Sequence, residues 1–97
     1  MEEQLHQFWQ ELVTQCKAFQ TDEFEYYWEI WGVNWYPWTI ETATRKGLNF
    51  TDGYDPGKKL DWLESQGIIA IVKEYTREEM GDEFNRKRYK IAKKYLK

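Results

Sequence analysis

With 97 residues, the chain is long enough for one domain with one hydrophobic core, and we expect a single domain over residues 1–97. A composition of 41% hydrophobic and 32% charged residues excludes a disordered chain, and no apolar run is long enough to cross a bilayer. The one cysteine, Cys16, excludes an internal disulfide and fits a reducing compartment, and the acidic N-terminus lacks the pattern of a signal peptide. We therefore expect a cytoplasmic protein without a membrane contact.

The charge is unevenly spread around a net value of −3. Residues 1–57 carry three Lys or Arg against ten Asp or Glu, whereas residues 58–97 carry eleven against seven. A basic segment attracts the phosphates of a polyanion, and an acidic segment is repelled by them. The C-terminal part is therefore the candidate contact with nucleic acid.

A helix is predicted over Glu3–Phe19, because its apolar residues recur three and four positions apart and so form one stripe. The next segment, residues 21–32, has a capping Thr21 at its start and a glycine at its end, and we favour a helix for it. Its aromatic residues also alternate with a period of two. A strand over residues 24–31 therefore stays open as the alternative.

Residues 33–38 are predicted to be extended, because the residue before Pro37 is pushed away from helical geometry. Thr39 can then cap a short helix over residues 40–46, which Gly47 closes. The order of elements in this part is therefore an extended connection, a short helix and a turn.

From residue 55 onward the pattern predicts a helix followed by a hairpin. Asp55 caps the helix, Pro56 takes its first position and Gly67 stops it. Residues 68–75 are rich in β-branched side chains, and residues 84–92 alternate apolar with basic side chains. These two runs predict a β-hairpin with a long polar tip.

Two stretches resemble the winged helix-turn-helix family. Thr39–Leu48 (TIETATRKGL) is similar to the positioning helix and its turn, and Leu60–Ile69 (LDWLESQGII) is similar to the end of the recognition helix and the start of the wing. The resemblance covers about residues 39–92. It implies an α+β, mainly helical fold in which a core of three to four helices carries a C-terminal β-hairpin wing.

The same resemblance implies DNA binding, with the start of the recognition helix in the major groove and the wing on the flanking backbone. The implied contacts are Lys58, Lys59, Asn85, Arg86, Lys87 and Arg88. The leading hypothesis is therefore a small double-stranded-DNA-binding protein, either a transcriptional regulator or an architectural factor. The alternative is that these residues form an ordinary solvated surface, and the acidic tip over residues 74–83 argues against close approach to phosphates.

Eight of the fifteen residues from Phe24 to Trp38 are aromatic. Such a block either fills the core or forms a partner surface, because Trp and Tyr dominate binding hot spots. The candidate partner-binding residues are Tyr26, Trp28, Trp31, Trp35 and Trp38. The rival hypothesis is therefore a protein-binding adaptor or inhibitor, for example of the phage type, whose simplest partner is a second copy in a homodimer.

Catalysis has no recognisable motif in this sequence. His6 is the one histidine, and Cys16 belongs to the apolar stripe of the first helix. No Cys and His cluster has the spacing of a zinc site, and no glycine-rich phosphate loop is present. We therefore predict no catalytic residue, no metal site and no cofactor.

Overall fold

The computed structural model describes residues 2–29, 38–53, 55–80 and 84–96. In chain order, these residues form α1 (Glu3–Ala18), β1 (Glu23–Glu29), β2 (Trp38–Thr42), α2 (Pro56–Ser65), β3 (Ile69–Glu74), α3 (Arg77–Met80), β4 (Phe84–Ile91) and a 3₁₀ turn (Lys93–Tyr95). The strands form one antiparallel sheet in the order β2-β1-β4-β3, and α1 and α2 pack on one of its faces. We call this face the inner face.

α1 confirms the first predicted helix. Its apolar stripe is buried at Phe8, Trp9, Leu12 and Cys16, and the last two are fully enclosed. Burial, followed by the nearby carboxylate of Asp22, raises the pKa of the Cys16 thiol to about 11. The thiol therefore stays protonated at neutral pH and packs as a small apolar side chain.

The helix that we favoured over residues 21–32 is wrong within the described part, because residues 23–29 form strand β1. β1 lies inside the sheet, with β2 on one side and β4 on the other. This position pairs its backbone on both sides and suits its aromatic side chains, which strands prefer. Alternation puts Phe24 and Tyr26 on the inner face and turns Glu25 and Tyr27 to the other side.

The helix predicted over residues 40–46 is also wrong, because Trp38–Thr42 form strand β2. Ile40 and Thr42 are buried on the inner face, and their branched side chains favour a strand over a helix. The chain then turns through Arg45, whose φ is 67°, and Leu48 donates its backbone N–H to the Ile40 carbonyl over 2.8 Å. The helix-turn-helix that the resemblance implied is therefore absent from the described residues.

α2 confirms the helix predicted to start at Asp55. The Asp55 carboxylate accepts a hydrogen bond from the Lys58 backbone N–H over 3.2 Å, and Pro56 takes the first turn. Leu60 and Leu63 are fully buried against the inner face. The cap and the apolar spacing, both local signals, thus fix this helix.

Gly67 joins α2 to β3 with a φ of +74°, a left-handed conformation that a residue with a Cβ adopts at a cost. We expect Gly67→Ala to lower the free energy of unfolding by about 1 kcal/mol. Gly47→Ala is the matched control, because no atom lies within 4 Å of its added Cβ and its φ is not left-handed. Urea denaturation measures both variants. Equal stability of the two would contradict the strained connection at residue 67.

The predicted C-terminal hairpin is confirmed, because β3 and β4 pair antiparallel with Ile69 opposite Ile91. The register shifts between Ile71 and Lys73, which leaves Val72 as a bulge. The hairpin does not form a wing beside a helical core, however. β4 pairs with β1 as well, so the hairpin is half of the central sheet, and the predicted three-to-four helix fold class is wrong.

Candidate functional site

A network of charges lies on the outer face of the sheet, which is the face opposite α1 and α2. Its centre is Glu25, which is only 3% exposed although it lies on the face opposite α1 and α2. A buried carboxylate is stable only when its oxygens are paired. The partners come from β4 and from the residue after β3, which lie next to β1 in the fold and far from it in the sequence.

Arg86 and Arg88 hold the two oxygens of Glu25. Arg86 donates from Nη1 to Oε1 over 3.2 Å, and Arg88 donates from Nε to Oε2 over 3.1 Å. The hydroxyl of Tyr75 also donates to Oε2 of Glu25. This hydrogen bond, followed by burial, raises the pKa of Tyr75 above its usual range. Arg86 reaches Glu41 on β2 as well, over 3.2 Å, so the network spans three strands.

The remaining basic residues of the hairpin also have acidic partners. Three such pairs are Lys73 with Glu79 at 3.1 Å, Lys87 with Glu74 at 3.6 Å and Lys90 with Asp22 at 3.7 Å. A phosphate that approached these side chains would compete with carboxylates already in place. The basic residues of β3 and β4 are therefore largely neutralised by the fold.

The predicted DNA contacts do not form one surface. Arg86 and Arg88 come together on the outer face, whereas their neighbours Asn85 and Lys87 alternate to the inner face, and Lys58 and Lys59 belong to α2. The side chain of Lys59 is 11% exposed, with Nζ 3.6 Å from Asp52 and 5.5 Å from the centre of the Phe8 ring. Lys59 thus fastens the loop before α2 to α1 and is poorly placed to reach a ligand.

The predicted partner-binding aromatic residues lie mostly against the core. Tyr26 is 9% exposed and stacks on Trp28 with 4.6 Å between ring centres. Trp28 and Trp38 are partly buried against the core, and Trp38 also packs on Phe50. Trp31 and Trp35 lie outside the described residues. The part of the aromatic block that the structure describes thus fills the space between the sheet and the helices.

The two edges of the sheet differ. The edge of β2 that points away from β1 is covered by the chain that follows it. The Thr42 backbone N–H donates to the Lys46 carbonyl, and the Leu48 backbone N–H donates to the Ile40 carbonyl. Among the described residues, β3 pairs on one side only, with β4. At the two ends of this pairing, the Ile68 carbonyl accepts from the Ala92 backbone N–H, and the Tyr75 backbone N–H donates to the Arg86 carbonyl. By alternation, the backbone N–H and C=O groups of Ile71 and Glu74 point away from β4, as do those of Ile69, which is only 2% exposed and is therefore enclosed by the fold.

We call this side of β3, over residues 71–74, the free edge. Val72 beside it is 49% exposed, and Trp62 on the neighbouring helix α2 is 37% exposed. An unpaired edge with exposed apolar side chains is a template for another strand. Sequence reasoning missed it, because the run Ile69–Val72 was interpreted as one side of a wing. The available signal was an apolar β-rich run without a proline.

Tyr89 of β4 is buried on the inner face. Burial raises the pKa of Tyr89 far above its usual range, and the charges of three carboxylates add to the shift: Asp61, Glu64 and Glu74. Glu74 has a cation 3.6 Å away, at Lys87. No described Lys or Arg forms an ion pair with Asp61 or Glu64.

Comparison with protein-family models, with curated proteins and with solved structures finds no match. The resemblance of residues 39–92 to the winged helix-turn-helix family therefore has no support from a relative. Within the described ranges, no helix is long and apolar enough to span a membrane. The same ranges contain no group of three or more His, Cys, Asp or Glu that could hold a metal ion.

An open depression of about 290 Å³ lies between α1 and the loop after β2. Gln15 donates to the Asn49 carbonyl and accepts from the Asn49 backbone N–H, both over 2.7 Å. Glu11 accepts from the backbone and hydroxyl of Thr51. These polar groups are thus satisfied within the chain, and their role is to fasten the loop to α1.

Proposed function

We propose that this protein is a protein-binding module, without catalytic activity, whose partner adds a strand to the free edge of β3. The observation that carries the proposal is the contrast between the two edges. The chain covers β2 itself, whereas the described residues pair no strand with the outward backbone groups of Ile71 and Glu74. Strand addition uses such groups for affinity and the alternating side chains for specificity. The single buried thiol is compatible with a cytoplasmic location, which is part of the proposal.

The DNA-binding hypothesis stays a prediction, and the geometry gives it less support. Arg86 and Arg88 are engaged with Glu25, and Lys87 is paired with Glu74. Phosphate contacts derive their energy from the release of counterions around the nucleic acid, and a cation that is already neutralised contributes less of it. The pairing therefore favours the protein partner over the polyanion.

One variant carries a photo-reactive amino acid in place of Val72, beside the free edge. A second variant of the same chain carries it in place of Thr39, an exposed residue of β2. We expect the probe at position 72 to capture a defined protein that the probe at position 39 does not capture. Hydrogen exchange on the purified complex is then expected to slow at the amides of Ile71 and Glu74. Exchange at the Tyr75 amide, which already donates to the Arg86 carbonyl, is expected to be the same in the free protein and in the complex.

Two results would overturn the proposal. One is a captured partner that leaves exchange at the amides of Ile71 and Glu74 unchanged, since that partner would not pair with the edge. The other is tight binding of a labelled random DNA duplex that weakens steeply between low and high salt, without any partner at position 72. That second outcome would restore the nucleic-acid hypothesis.

A further inference from the structure

The two edges of the sheet limit how two copies of this chain can pair, and the inference rests on the function proposed above. The chain after β2 covers that strand over residues 40–42, where it bonds the Thr42 amide and the Ile40 carbonyl. β3 has outward backbone groups at Ile71 and Glu74. Two copies therefore meet β3 against β3. Such an arrangement closes as a two-fold dimer, because the covered β2 strands then form both outer edges.

The outward groups of β3 are self-complementary about a two-fold axis that passes between Val72 and Lys73. In this antiparallel arrangement, Ile71 of each copy lies opposite Glu74 of the other copy. Both residues point their N–H and C=O groups away from β4, so each of these pairs exchanges two hydrogen bonds. The extra residue of the bulge occurs at the same place in both strands. The two strands therefore stay in step across the axis.

The charges beside this axis are paired within each copy. A lysine at an edge ordinarily discourages strand pairing, because its charge lies beside the incoming strand. Here Nζ of Lys73 lies 3.1 Å from Glu79 of the same hairpin. Glu74 likewise has Lys87 at 3.6 Å. The side chain left beside the axis is Val72, which is 49% exposed. A second copy therefore brings two valines near each other and does not bring two unpaired lysines together.

We propose that the strand added at the free edge is β3 of a second copy of this chain. The two four-stranded sheets then join into one continuous antiparallel sheet. A two-fold axis perpendicular to this sheet keeps α1 and α2 of both copies on the same face. Because the paired edge is short, the dimer is weak, and its population rises with protein concentration.

Sedimentation equilibrium of the full chain, in a dilution series from micromolar to millimolar concentration, measures the association. We expect an equilibrium between monomer and dimer, without larger species. Glu74→Pro removes the N–H of residue 74, which points away from β4, and therefore spares the pairing of β3 with β4. Each copy loses one donor to the other, so we expect the dissociation constant of the dimer to rise about tenfold or more. Glu74→Ala is the matched control, because it removes the same carboxylate, keeps the N–H and should dimerise like the wild type.

A second variant does not depend on the accommodation of proline. Val72→Lys adds a cation beside the axis in each copy, so we expect it to weaken the dimer, and more strongly at low salt than at high salt. A monomer at every concentration would overturn the second copy as the partner. The proposed function would still stand if the probe at position 72 captured a different protein, and both would be overturned without such a capture. A dimer that Glu74→Pro leaves intact, or assembly beyond the dimer, would contradict pairing through β3.

Discussion

Replacing Glu25 by alanine is expected to lower the free energy of unfolding by about 3 kcal/mol. The carboxylate is 3% exposed and accepts hydrogen bonds from Arg86, Arg88 and Tyr75. Its removal leaves the guanidinium of Arg86, whose side chain is 11% exposed, with one of its two carboxylate partners, Glu41, in a partly dehydrated position. Breaking one side of a buried ion pair costs far more than the pair contributes, because the remaining charge stays buried.

Chemical denaturation of three variants separates the charge from the hydrogen bonds. Glu25→Gln keeps an acceptor for the Tyr75 hydroxyl and removes the charge. We therefore expect its free energy of unfolding to lie between those of the wild type and the alanine variant. Glu23→Ala is the control. The Glu23 side chain is 36% exposed and lies 4.0 Å from Arg88, and a pair this open to solvent contributes about 1 kcal/mol or less. A loss at Glu25 as small as that at Glu23 would contradict the buried network.

The second large effect is expected at Tyr26, and it distinguishes a strand from a helix over residues 23–29. In the strand, Tyr26 faces the core and is 9% exposed, whereas Tyr27 faces outward beneath the Arg86 guanidinium at 5.1 Å. Tyr26→Ala is therefore expected to cost about 3 kcal/mol, by loss of a buried ring. Tyr27→Ala is expected to cost about 1 kcal/mol, mainly through the lost contact with Arg86. In the helix favoured by the sequence, Tyr27 would share the buried face.

Thermal and urea unfolding of the two alanine variants provides the comparison. Tyr26→Phe keeps the ring and removes the hydroxyl, which lies against Gly57, and we expect it to cost about 1 kcal/mol. A larger loss at Tyr27 than at Tyr26 would reverse the assignment of faces. β1 would then have to be reconsidered as a helix.

The helices were predictable because their signals are local. α1 is specified by its apolar stripe, and α2 by Asp55, Pro56 and Gly67 at its ends. The β3–β4 hairpin was predictable for the same reason, since its two strands are neighbours in the sequence. β1 was not predictable, because its pattern fits both periods and the choice is made by its pairing with β2 and with the distant β4.

The candidate site depends on contacts that sequence spacing cannot show. Glu25 is separated from Arg86 by 61 residues and from Arg88 by 63, so in the sequence it is an ordinary acid between aromatic residues. The sequence alone assigns Arg86 and Arg88 to DNA contacts, because it does not show that their acidic partners, which lie far away along the chain, are their neighbours in the fold. The free edge of β3 likewise becomes visible only from the order of the strands in the sheet.

That order, β2-β1-β4-β3, is the claim on which both the buried network and the free edge depend. Nuclear Overhauser spectroscopy of the full chain tests it directly. The register predicts close Hα–Hα contacts across β1 and β4 between Glu25 and Arg88 and between Tyr27 and Arg86, and across β1 and β2 between Tyr26 and Ile40. Their observation would establish β1 as the inner strand. Contacts between residues three apart along 23–29, without these cross-strand contacts, would contradict the sheet.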